Sequence, residues 1–175
     1  GATIAPALLN RLLNDVGDNP DQLPLLQHAL MRTWDSWTKK KNKQLAIDID
    51  DYENIGTITE AISQHAEEAY AELTTDKERQ ICEKVFKELT DKGGMMHGIR
   101  RPRLLSELSA AAGATDEEVI KIIEIFRKPG RGFLMPAYPI PLTGSSIIDI
   151  SHESLMRVWK RLITWLEAEE ESAQV

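Results

Sequence analysis

Apolar residues recur at helical spacing along most of the chain. Ile4, Leu8, Leu9, Leu12, Leu13 and Val16 form a stripe that predicts a first helix over 4–16. Gly17, Asp18, Asn19 and Pro20 then signal a stop and a turn. Asp21 is placed to cap a second helix. Pro24 sits in that helix's first turn, where the N–H groups have no intrahelical partner to lose. Leu26, Leu30, Trp34 and Trp37 line one face of it, and the lysine-rich stretch 39–43 closes it with charge that suits a carbonyl end. Alternation over 45–49 predicts a short strand or extended piece, and 50–55 a brief helix anchored by Tyr52. Ile58, Ala61, Ile62, His65, Ala69, Tyr70 and Leu73 share the face of a helix over 57–73.

The texture changes beyond that point. Thr75 and Glu78 have capping-box spacing, and the helix they start carries Ile81, Cys82, Val85, Phe86 and Leu89 on one side. Gly93 and Gly94 break the chain, and 95–103 reads as a short extended piece before a helix over 104–112 that Gly113 ends. Thr115 caps a further helix with the stripe Val119, Ile122, Ile123 and Phe126, stopped by Pro129 and Gly130. Strand-like pieces at 133–135 and 147–150 flank a Pro/Gly/Ser-rich connection too long for a tight hairpin. A last helix over 151–168 carries Leu155, Val158, Trp159, Leu162 and Trp165, and the acidic run 167–171 reads as a fraying tail or linker start. The expected fold is mainly α: a helical bundle over 1–75, a winged-helix-like domain with a small β-hairpin over 76–168, and an acidic tail over 169–175.

Composition narrows the function classes. The net charge of −7 and the pI near 5.2 disfavour a general nucleic-acid binder. No apolar run approaches the roughly 18 residues of a membrane helix, so no membrane partner is expected. A single cysteine, Cys82, leaves no internal disulfide and fits a reducing cytoplasm. Gly1 reads as a cleavage scar, with the natural N-terminus upstream of it.

Two segments carry a resemblance. Gln22, Leu23, Pro24, Leu25 and Leu26 open a helix, and Ile148, Asp149, Ile150, Ser151, His152 and Glu153 run a β segment into another. Together they resemble the signature segments of the STAND NTPases, signal-transduction ATPases with numerous domains. The nearest likeness is to the novel STAND branch common in bacterial signalling proteins, whose members often carry WD repeats. No Gly-x-x-x-x-Gly-Lys-[Ser/Thr] phosphate loop occurs in the 175 residues. The likeness is therefore to the part that follows the ATPase core. It implies a non-catalytic lid or switch that closes over ATP or ADP bound by a separate N-terminal ATPase domain. That domain, with effector or repeat domains of the same protein, would be its partner. The chain itself would be no enzyme and hold no cofactor.

The resemblance also implies site residues. His152 would contact nucleotide phosphates in the closed, ADP-bound state; otherwise it is a cap or a half-buried histidine. Pro24 would pack on the adenine, although Gln22 replaces the family's glycine; otherwise it simply initiates a helix. Arg100, Arg101 and Arg103 resemble the branch's arginine-rich strand and could meet an anion or a partner. A solvated edge strand kept soluble by charge explains them equally.

Metal chemistry fails by spacing: Met156 stands where a His-Glu-x-x-His would need its second histidine, and His28, His65 and His97 lack partners at ligand spacing. Two further readings stay open, a winged-helix DNA-binding transcription regulator and a structural protein-interaction scaffold. Asp116, Glu117 and Glu118 would present the wrong sign to DNA phosphates at a recognition helix.

Overall fold

The computed structural model describes residues 2–18, 22–40, 45–91 and 99–173. Asn19, Pro20 and Asp21, lysines 41 and 43, Gly93, Gly94, the start of the extended piece at 95–98, and His97 lie outside the described residues. The fold is mainly helical with a small three-stranded antiparallel sheet, as expected. It comprises two compact units, 1–64 and 65–175. The division falls within a helix, α4 (Thr57–Tyr70), upstream of the boundary read at 75–76.

Unit 1 holds α1 (Pro6–Val16), α2 (Leu23–Thr38), α3 (Ile49–Asn54) and the first part of α4. Its core joins Leu8, Leu12, Ala29, Trp37, Ile47, Tyr52, Ile55, Ile58 and Ala61. Two predicted faces are corrected. In α1 only Leu8 and Leu12 are buried, while Leu9 and Leu13 are 51% and 64% exposed. In α2 the covered face is Ala29, Thr33 and Trp37 rather than Leu30 and Trp34. Thr33 tolerates burial because its hydroxyl donates to the Ala29 carbonyl at 2.6 Å. Trp37 donates its indole N–H to the Leu45 carbonyl at 2.8 Å. The expected strand over 45–49 is a single parallel bridge, Ile4 to Ile47.

Tyr52 anchors α3 as expected. It is fully buried, donates its hydroxyl to Asp15 at 2.8 Å and accepts from the Ile58 N–H at 2.9 Å. A reciprocal capping box of Asp48 and Asp51 starts α3. Lys40 neutralises the buried Asp51 at 3.0 Å. The turn into α4 needs Gly56: its φ is +91°, and a Cβ there would meet the Gln64 side chain at 2.6 Å.

Unit 2 holds the rest of α4, then α5 (Asp76–Glu88), β1 (Arg103–Leu104), α6 (Leu105–Ala112), α7 (Asp116–Arg127), β2 (Leu134–Met135), β3 (Ile147–Ile150), α8 (Glu153–Val158) and α9 (Lys160–Ala173). The strand order is β1-β3-β2, with Leu104 opposite Ile147 and Leu134 opposite Ile150. The stripes predicted for α5 and α7 are all in the core. Thr75 caps α5 and a full capping box of Thr115 and Glu118 starts α7, which explains why both begin where the sequence indicates. His65 is buried and edge-on to Phe133, with ring centroids 5.0 Å apart.

The last helix differs from expectation. It is broken at Trp159, whose backbone is extended (φ −76°, ψ 102°), giving α8 and α9. The break turns the Trp159 ring into the core, within 5.0 Å of Phe86 and 5.8 Å of Phe126. The acidic run Glu167, Glu169, Glu170 and Glu171 belongs to α9, which continues to Ala173.

Candidate functional site

His152 stands at the N-cap of α8, directly after β3. Its side chain is exposed and makes no capping hydrogen bond. Its backbone is extended, the usual N-cap conformation. Arg100 brackets this junction. Its guanidinium donates to Asp149 at 3.2 Å and to the Ile150 carbonyl at 3.3 Å, and lies 3.9 Å from Glu153. Arg100 therefore lies beside the β3–α8 junction that carries His152.

The other arginines separate. Arg103 pairs with Glu107 at 2.7 Å and faces Glu88 at 3.9 Å. Arg101 is exposed, and its backbone N–H donates to the Leu89 carbonyl at 2.7 Å. Arg100 and Arg103 thus meet carboxylates of their own unit, which offsets part of the positive charge of the cluster. Pro24 belongs to unit 1, exposed in the first turn of α2, where Gln22 holds the N-cap without a side-chain bond.

The basic residues at and just after the end of α7 are also engaged. Arg127 is buried, bonded to Glu124 at 2.8 Å and to the Pro136 carbonyl at 3.0 Å. Lys128 pairs with Glu72 at 2.6 Å, and Arg131 pairs with the same carboxylate. At the other end of α7, Asp116 accepts from Ser109 at 2.6 Å and Glu118 pairs with Lys77 at 2.7 Å. α7 presents no basic stripe for a DNA groove.

One constellation had no signal in the sequence. Glu67 accepts the Trp159 indole N–H at 2.9 Å and two guanidinium bonds from Arg161 at 2.8 and 2.9 Å. The same guanidinium lies 3.9 Å over the Tyr70 ring. Glu67 and Arg161 lie 94 positions apart in the chain, and each alone reads as an ordinary surface position.

The hydrogen bonds from Arg161, more than that from Trp159, hold the Glu67 carboxyl below the usual carboxylate range against the opposing effect of burial. Lys128 does the same for Glu72. A carboxyl whose folded value is depressed adds stability above its unfolded value of about 4.3 and loses it as pH falls through the folded one. Thermal midpoints should therefore hold from pH 7 to about 5 and drop below that. In Glu67→Gln the drop should be shallower. An equally steep acid slope in the mutant would show that Glu67 is not a contributor.

The family model described as novel STAND NTPase 1 matches residues 1–175. The chain belongs to that family. No curated protein and no solved structure matches it. In this novel STAND NTPase chain the 175 residues carry no Gly-x-x-x-x-Gly-Lys-[Ser/Thr] loop. Among the described residues, no group of three acidic, histidine or cysteine side chains could hold a metal ion. Among them, too, no helix is long and apolar enough to cross a membrane.

Proposed function

We propose that this STAND-family chain is a non-catalytic regulatory module, a lid or switch that closes over ATP or ADP held by a P-loop domain elsewhere in the same protein. One observation carries the reading: the family match runs the full length of a sequence that has no phosphate-binding loop. On this reading unit 2 is a winged-helix-like domain, with α5, α6 and α7 followed by the β2–β3 pair and its long connection. The ATPase domain and any effector or repeat domain of the same protein are its partners, in a bacterial signalling protein of the cytoplasm. His152 and Pro24 are both exposed, so each is available to a nucleotide held by another domain. The DNA-binding alternative loses support from the acidic start of α7 and from the carboxylate partners of Lys128 and Arg131.

Titration calorimetry of the 175-residue chain with ATP and with ADP in magnesium buffer tests the lid reading. The expected result is no binding tighter than about 1 mM, because positioning of the phosphates and magnesium is left to the other domain. A micromolar constant for either nucleotide would overturn it.

A further inference from the structure

The break between α8 and α9 has no cause in its own stretch of chain. Sharp helix breaks usually sit at proline or glycine, and neither occurs between 145 and 175. Lys160, Arg161 and Leu162, which follow the break, are good helix formers. The backbone ladder also meets the break from both sides. The Trp159 N–H donates to the Leu155 carbonyl at 2.9 Å, and the Trp159 carbonyl accepts from the Ile163 N–H at 3.1 Å. Of the two Trp159 torsions, φ at −76° is already helical and only ψ at 102° is not.

A carboxylate spans that torsion from outside. Trp159 and Arg161 flank it, and both are fastened to Glu67 of α4. The indole N–H donates to Oε1 at 2.9 Å, and the guanidinium grips both oxygens at 2.8 and 2.9 Å. Tyr70, one turn further along α4, holds the α9 side as well. It lies 3.9 Å below the same guanidinium, and its ring centroid is 5.8 Å from that of Trp165. The Glu67 and Arg161 side chains are 40% and 38% exposed, so this pair can part without opening the core.

We propose that Glu67 is the catch of a conformational switch. With its carboxylate engaged the chain breaks at Trp159; with it released, ψ of Trp159 turns helical and 153–173 closes into one continuous helix. Burial of Leu155 and Met156 on α8 also favours the broken form, so the unbroken one stays scarce while the catch holds. This stands independently of the nucleotide-lid reading. The tryptophans supply the test. Trp34, Trp37 and Trp165 lie inside helices, and Trp159 alone is extended. In the 175-residue chain labelled with carbon-13 tryptophan, nuclear magnetic resonance should give three helical Cα shifts and one extended shift. In Glu67→Ala the fourth resonance should move toward the helical group. Glu67→Gln and Arg161→Gln, milder changes at a partly exposed pair, carry the same expectation and decide the matter if Glu67→Ala does not fold. Glu72→Ala, which removes the partner of Lys128 and Arg131 five residues further on, should leave the fourth resonance in place. A fourth resonance that stays extended in the folded Glu67 and Arg161 variants would overturn the catch. So would an equal movement in Glu72→Ala, which would mark general loosening, or four helical shifts in the wild type.

Discussion

Replacing Trp159 by alanine is expected to remove about 3–5 kcal/mol of stability, the usual cost of truncating a buried tryptophan. For a chain of this size that lowers the melting midpoint by roughly 6–20 °C. Trp159 is fully buried and meets Phe86, Phe126 and Trp165 with ring centroids 5.0, 5.8 and 5.5 Å away. Edge-on ring pairs of this kind add to the area term. The truncation also strands one acceptor site of Glu67, which the indole N–H occupies at 2.9 Å. Because the chain has two units, scanning calorimetry is the measurement of choice: it resolves separate transitions if they exist. A transition within about 2 °C of wild type would mean that unit 2 is not held by this aromatic cluster.

His152→Ala should leave stability almost unchanged, because the side chain is exposed and makes no capping bond. Surface changes of that kind usually fall within about 0.5 kcal/mol. The effect belongs in the nucleotide-bound protein that the proposed lid would serve. If His152 donates to a phosphate only when the lid is closed, its loss favours the open state by the whole differential contact. A charge-assisted hydrogen bond is worth roughly 1.5–3 kcal/mol, enough to speed ADP release more than about tenfold. Release of labelled ADP from the protein that includes the ATPase domain, wild type against mutant, decides the matter. Identical release rates with unchanged melting would make His152 a surface histidine of no consequence to the switch.

Capping and spacing made the helices of unit 2 legible. Thr75 and Thr115 marked two starts, and the stripes they introduce are buried residue for residue. What failed was the choice among competing apolar positions. α1 has leucines at 8, 9, 12 and 13, a stripe wider than its neighbours can cover, and the pattern alone does not say which pair is left exposed. In α2 a polar letter hid the core face, since Thr33 satisfies its own hydroxyl against the helix backbone. The break at Trp159 left no trace in the pattern because Leu155, Trp159 and Leu162 keep helical spacing across it. The arginine cluster was visible as charge. The pairing of Arg100 with Asp149 was not, because Asp149 lies on a strand paired through tertiary structure. His152 was singled out from its motif, and the placing of Arg100 beside the same junction came only with the fold.

The sole cysteine of the chain, Cys82, lies fully buried on α5, and burial pushes its thiol well above the ordinary range. Only a thiolate reaches a disulfide reagent at a useful rate, so the closed unit is chemically silent. Modification must wait for a fluctuation that lifts α5 out of its packing. In excess reagent the labelling trace is then a clock for the opening of unit 2, carried by one native atom and requiring no added probe.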